Sequence, residues 1–263
     1  MISLPTLRLV KGVSSFLLSK LTFQHSSASF LQVTQVSKAD AADESAYSLM
    51  LTDTVITHNK LLSKDSVISF GEISYKHFTI TIQNVNPNNN ELQLGPLIRF
   101  NSNCKVILQN CETSNNIGQF ANLQPASSSD TSNPLLLTIN NTYFHHNYVD
   151  GDSLILLTSN SILKAQNSRF IENGSTGRGS ILFADYQKVE AELVNCEIRK
   201  NYAYQGGVFY VQFASRVRVY NSVIEENFAV IGGVAYVNND GFVEFSTNTR
   251  IVKNAAIIPA SFS

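Results

Sequence analysis

The chain has 263 residues, 43% of them hydrophobic, which supports a substantial core and excludes global disorder. Its 19 basic and 20 acidic residues nearly cancel, with no basic patch of the kind nucleic acid needs and no block of like charge that reads as a tail. Three cysteines are too few and too odd in number for a disulfide framework, and no CxxC pair or Cys/His cluster suggests zinc.

The N-terminal stretch "MISLPTLRLVKGVSSFLLSKL" is interrupted by Lys11 and Lys20 and lacks the continuous apolar run of a signal peptide. If the parent protein is secreted, its real N-terminus is expected to lie upstream. "SFLLSKLTF" and "SFLQVTQV" alternate like strands but carry no further motif. Residues 1–46 are therefore expected to be a degenerate first coil or two, or a cap, and 47–263 one continuous repeat domain.

From residue 47 onward a single motif recurs. "NSRFIEN" at Asn167–Asn173 returns as "NCEIRKN", "NSVIEEN" and "NTRIVKN". Its second asparagine falls at Asn59, Asn90, Asn116, Asn147, Asn173, Asn201, Asn227 and Asn254, at intervals of 26 to 31 residues. Six residues before each stands Asp53, Asn84, Asn110, Asn141, Asn167, Asn195, Asn221 or Asn248. All eight rungs keep this pair, which chance does not produce.

The residue after the first asparagine is small in nearly every rung, as at Thr54, Cys111, Thr142, Ser168, Cys196 and Ser222. Two residues further comes a large apolar one in six rungs: Ile56, Phe144, Phe170, Ile198, Ile224 and Ile251. An alternating strand precedes the motif, as in "FTITIQN" and "VRVYN", and a second short strand follows, opening on Gly179, Gly206–Gly207 or Gly232–Gly233. No helical segment intervenes.

A unit of about 27 residues cannot bury its own apolar face, but a stack of such units can. The expected fold is all-β: a single right-handed parallel β-helix, or β-solenoid, of about nine coils. Successive coils then lie about 4.8 Å apart. Asparagines at a fixed turn can bond their neighbours above and below, so the paired Asn columns are read as a structural ladder. The glycines supply backbone freedom where the chain bends. "QPASSSDTSNP", Gln124–Pro134, reads as a loop leaving the solenoid. "AAIIPASFS" offers no polar cap, which suggests a fragment of a longer array or a covered end.

"FIEN" at Phe170–Asn173 and "FHHN" at Phe144–Asn147 resemble the FxxN motif of chlamydial polymorphic membrane proteins. "GGV" at Gly206 and Gly232 is similar to their GGA[ILV] motif, in the same order along the coil. The similarity spans about Asp53 to Asn254, with Ile replacing Phe in four rungs and Gly179–Ser180 replacing Gly-Gly once. Similar repeats occur in large surface proteins of protists. The resemblance implies a pectin-lyase-like β-helix, a cell-surface or extracellular location, and an adhesion role.

Many β-helices instead cleave polysaccharides, so the columns bear on chemistry. A hydrolase needs paired carboxylates at a set separation, and a lyase a base with calcium held by acids. The position before the second asparagine reads His58, Asn89, Asn115, His146, Glu172, Lys200, Glu226, Lys253. The second residue after the first asparagine reads Val55, Asn86, Glu112, Tyr143, Arg169, Glu197, Val223, Arg250. Opposite charges tend to alternate, as in a surface salt ladder rather than an active site.

Asp150 and Asp152 around Gly151 could bind a cation but match ordinary turn chemistry. His145 and His146 are adjacent, and on a strand or turn they are expected to point in different directions. Tyr204, Tyr210, Tyr220 and Tyr236 could line a ligand-binding face or simply pack. Cys111 and Cys196 occupy the small-residue column, three coils apart and too distant to bond. Asn140 and Asn173 begin glycosylation sequons, and Asn173 belongs to the ladder.

The reading is a non-catalytic surface module that is structural or binds protein or carbohydrate ligands, without cofactor, metal, nucleic acid or membrane span. The alternative is a carbohydrate-active lyase or hydrolase. Stacked acids beside a base in one groove would favour the enzyme; shallow alternating charge would favour the module.

Overall fold

The computed structural model describes residues 7–9, 15–27, 29–35, 47–71, 78–101, 104–124, 134–186 and 188–258. The loop expected over Gln124–Pro134 lies, from 125 to 133, outside the described residues, as do most of residues 1–14 and 36–46 and the final five. The described chain is a parallel β-solenoid.

One coil illustrates the rest. Ser161–Gln166 lies in sheet 1, Arg169–Ile171 in sheet 2, Gly174–Ser175 in sheet 3 and Leu182–Ala184 in sheet 4. Sheets 1, 2 and 4 hold nine strands each. Sheet 3 has a two-stranded and a five-stranded part, which Ile117 joins by isolated bridges to Glu91 and Tyr148. Differences in coil length fall mainly in the connection from sheet 4 to sheet 1. It runs from Leu157 to Ser161 in one coil and from Leu123 to Leu135 in another.

Alternation builds each wall. In Phe78–Gln83 the residues are buried and half-buried in turn, so one face of the strand enters the core. Like residues then stack inside. The rings of Phe144 and Phe170 lie 4.9 Å apart and 4° from parallel, and those of Phe70 and Phe100 are 5.2 Å apart. The large apolar column fails at two successive coils, where Pro87 and Thr113 sit between Ile56 and Phe144. A cavity of about 10 Å³ opens there, enough for about one water. Proline also lacks the N–H a ladder needs, and the strand Asn86–Asn88 pairs with the following coil at one residue only.

The two asparagine columns do different work. The first, Asp53, Asn84, Asn110, Asn141, Asn167, Asn195 and Asn221, has φ between 47° and 54°. One residue in the left-handed region bends the chain from sheet 1 to sheet 2, and Asn and Asp tolerate it best. These side chains are exposed, and some touch along the column, as where Asn141 Nδ2 donates to Asn110 Oδ1 at 2.9 Å. Asn248 departs from the column. It sits within a turn that Thr249 N–H closes on Ser246 C=O, and its φ is not positive.

The second column is the buried ladder. The Oδ1 of Asn173 accepts both the backbone N–H and the Nδ2 of Asn147, at 3.2 and 3.0 Å. The Nδ2 of Asn147 also donates to Thr113 C=O at 2.9 Å. The same linkage runs without a break from Asn59 to Asn254. Every polar function of each inner amide is thus satisfied.

A third column lies beside it. Ser168 Oγ accepts Thr142 N–H and donates to Gln166 C=O, and Cys196 N–H donates to Ser222 Oγ. Cys111 and Cys196 stand in this column with their thiols on backbone carbonyls, in the manner of a hydroxyl.

The glycines meet two separate demands. Gly206 has φ +67°, and Gly207 faces Gly233, whose carbonyl oxygen would lie 2.2 Å from any added Cβ. Gly232 and Gly179 repeat the left-handed φ, and Gly233 likewise abuts the backbone of Ala255. Ser180 takes the second place in its coil, with its hydroxyl on Gly207 C=O.

Residues 15–27 and 29–35 belong to a coil of the same plan without the asparagines. Ser15–Ser19 pairs with Tyr47–Thr52, and Thr22–Gln24 with Val55–Thr57. Lys20 and His25 take the two left-handed positions, at φ 55° and 54°, and Ser26 N–H donates to Asn59 Oδ1.

Candidate functional site

Outward positions differ sharply between sheets. Sheet 2 carries charge. Arg169 pairs with Glu197 at 3.2 Å, Glu197 with Arg199 at 2.9 Å, and Lys253 with Glu226 at 3.3 Å. Glu225 is held by Arg250, Arg199 and Lys253 within 4 Å. Burial raises the pKa of Glu225, but these three cations outweigh it and the net shift is downward. The alternation anticipated along this face is present as coil-to-coil contacts, with Lys200 paired to Glu172 at 3.7 Å and His146 Nε2 2.6 Å from the other Glu172 oxygen.

All eight residues ahead of the buried asparagines, from His58 to Lys253, are left-handed, with φ between 52° and 59°. Their charge pattern alone marks them only as a surface salt ladder. Their conformation changes where the side chains go, and His145 with His146 is the clearest case. The two rings do not diverge: their Nδ1 atoms lie 2.9 Å apart. The left-handed bend at His146, φ 55°, turns its side chain back toward its neighbour.

Sheet 4 carries aromatics. Its outward column runs Leu156, Phe183, Tyr210, Tyr236 in register. Tyr210 and Tyr236 stack at 5.1 Å, and Phe183 meets Tyr210 edge-on at 5.1 Å. The Arg178 guanidinium lies 4.9 Å from the Phe183 ring centre and 5.6 Å from that of Tyr210. Gln212 Nε2 donates to Asp185 Oδ1 at 2.8 Å, and Asn238 bonds the Tyr210 side chain. Burial raises the Tyr210 pKa, with Arg178 pulling the other way. Where sheet 4 turns toward sheet 1, the exposed rings of Tyr186 and Phe213 stack 5.9 Å apart, both at positive φ.

Tyr204 is on sheet 3 rather than sheet 4, exposed beside Tyr202 and Phe228. Tyr220 ends a sheet 1 strand. Asp150 accepts from Thr176 Oγ1 at 2.6 Å and Gly151 N–H donates to the same hydroxyl, so this turn is closed by its own bonds. Asn173 is buried with its amide spent in the ladder. All three thiols are free and buried.

Among the described residues, no group of three or more His, Cys, Asp or Glu is placed to hold a metal ion. No helix is long and apolar enough to cross a membrane. No family model matches the sequence, and no curated protein and no solved structure matches it. What the fold defines is the class: a parallel β-solenoid with a buried asparagine ladder.

Proposed function

We propose that this chain is a binding module of a larger cell-surface protein and that its ligand is a carbohydrate seated on sheet 4. The observation that carries the reading is Tyr236, half-buried on the outer face of sheet 4 and stacked on the buried Tyr210, which itself meets the buried Phe183, with planar polar groups around them: Arg178, Asp185, Gln212 and Asn238. Flat rings take the apolar faces of sugars, and fixed amide, carboxylate and guanidinium groups take their hydroxyls. The rival enzyme reading draws less support. The acids of sheet 2 are engaged by arginine, lysine and histidine side chains, an arrangement that holds coils in register rather than leaving a carboxylate pair open to substrate. The resemblance of FxxN and GGV rungs to polymorphic membrane protein repeats supports the surface location.

Affinity electrophoresis of the full chain through gels containing soluble polysaccharides tests this. Retardation by at least one glycan is expected, lost in Tyr236→Ala and Arg178→Ala, with no shortened or unsaturated product. Product release would transfer the case to the lyase or hydrolase. Unretarded migration in every gel would sink carbohydrate binding. Surface biotinylation of intact source cells tests location separately.

A further inference from the structure

The chain Glu112–His145–His146–Glu172 runs across three coils of sheet 2. His145 Nε2 lies 2.9 Å from Glu112 Oε1, and His146 Nε2 lies 2.6 Å from Glu172 Oε2. Carboxylates only accept, so each Nε2 carries a proton and donates it. That leaves both Nδ1 lone pairs facing each other at 2.9 Å. Two bare lone pairs repel at this distance, so a cation must close the contact: one added proton, or a metal.

We propose that the two Nδ1 atoms form a chelating site for a divalent transition metal. Metal–imidazole bonds are about 2.0–2.1 Å, so two nitrogens at a right angle stand about 2.9 Å apart. That is the observed separation. Imidazole donors suit the later first-row divalent ions, of which Cu(II) binds nitrogen most strongly, with solvent at the remaining positions. The rings stand at 83° to each other with their centres 5.2 Å apart, so only the two nitrogens come close.

The surroundings are those of a ligating histidine. Each ring gives its other N–H to a carboxylate, which fixes the tautomer and raises the basicity of the donor nitrogen. Tyr143 stacks on His145 at 4.2 Å, and Arg169 covers Tyr143 at 4.3 Å, so the ring is held from its flat side as well. The His146 side chain is 52% exposed, leaving the metal an open approach. Glu112 and Glu172 offset the charge of the ion, with Lys200 on the second Glu172 oxygen.

Titration of the untagged full chain with Cu(II), against glycine as a competing chelator, tests the site by calorimetry and electron paramagnetic resonance. One equivalent is expected, with hyperfine coupling to two nitrogens. His145→Ala and His146→Ala should each abolish the two-nitrogen signal. Glu112→Ala with Glu172→Ala should weaken binding about 10- to 100-fold, because the anchors orient the rings. His58→Ala, in the same turn column, should change nothing. Binding that survives His146→Ala, binding indifferent to both Glu changes, or no binding at all would each overturn the site. Circular dichroism of each variant separates loss of metal from loss of fold.

Discussion

Asn147→Ala isolates the ladder. The Asn147 side chain donates to Thr113 C=O and Asn173 Oδ1, and accepts from the backbone N–H and Nδ2 of Asn116. All four bonds are lost together. Asn116, Asn147 and Asn173 are between 1% and 4% exposed, so water cannot replace them. At about 1 kcal/mol for each bond, the cost is about 4 kcal/mol, and orphaned buried groups push it higher. The matched control is Asn141→Ala in the same coil. There the side chain is exposed and makes one bond, to Asn110, and the left-handed φ of 47° costs alanine about 1 kcal/mol. Asn141→Gly should be nearly neutral. Urea unfolding at fixed m gives both values. Amide exchange should place the Asn147 loss in the coils of Asn116 and Asn173, because repeats couple to their neighbours. Equal costs at the two asparagines would refute the division of labour between the columns.

Two further outcomes follow from titratable groups. The depressed pKa of Glu225 contributes stability that is present above the ordinary glutamate value of 4.5 and is lost as pH falls through the folded value. Acid unfolding of Glu225→Gln should therefore be shallower below pH 4.5 than that of the parent, measured by midpoint against pH. Burial pushes Cys111 and Cys196 from 9.0 up to about 11, so folding holds their protons and this stability fades as pH rises from 9 to 11. A double Cys→Ser variant should lose that alkaline sag, and an aromatic disulfide reagent at pH 8 should label the parent only after urea is added.

The fold was legible because its cause is periodic. A side chain that must bond the same side chain one coil away forces the same residue at each coil, and Asn59 to Asn254 record that directly. The coil of residues 15–27 and 29–35 was hard to see because Lys20, His25 and Ser26 meet the same backbone demands without asparagine. The site residues were less legible for a related reason. The outward positions of sheet 4 answer to no periodic rule, so Arg178, Phe183 and Asp185 carry no signal until register aligns them with Tyr210 and Tyr236. Strand alternation does not place the histidine pair, because His146 lies just outside the strand Tyr143–His145. Its column partners Asn89 and Asn115 are residues that favour left-handed backbone, and they carry the signal for the bend.

This separation also says where function can reside in such a fold. Inward positions and the buried asparagines are committed to stacking, so a change there is felt in the adjacent coils. Outward positions on a three-residue strand such as Phe209–Val211 contact only their neighbours along the column and can change alone. The solenoid therefore offers independent stripes. Sheet 2 holds a charged stripe with the histidine pair at its middle, and sheet 4 an aromatic stripe capped by Arg178. Because the stripes share no side chains, Tyr236→Ala should leave Cu(II) uptake intact and His146→Ala should leave glycan retardation intact. Coupled loss in either direction would mean that the variants act through the coil, not through the surface.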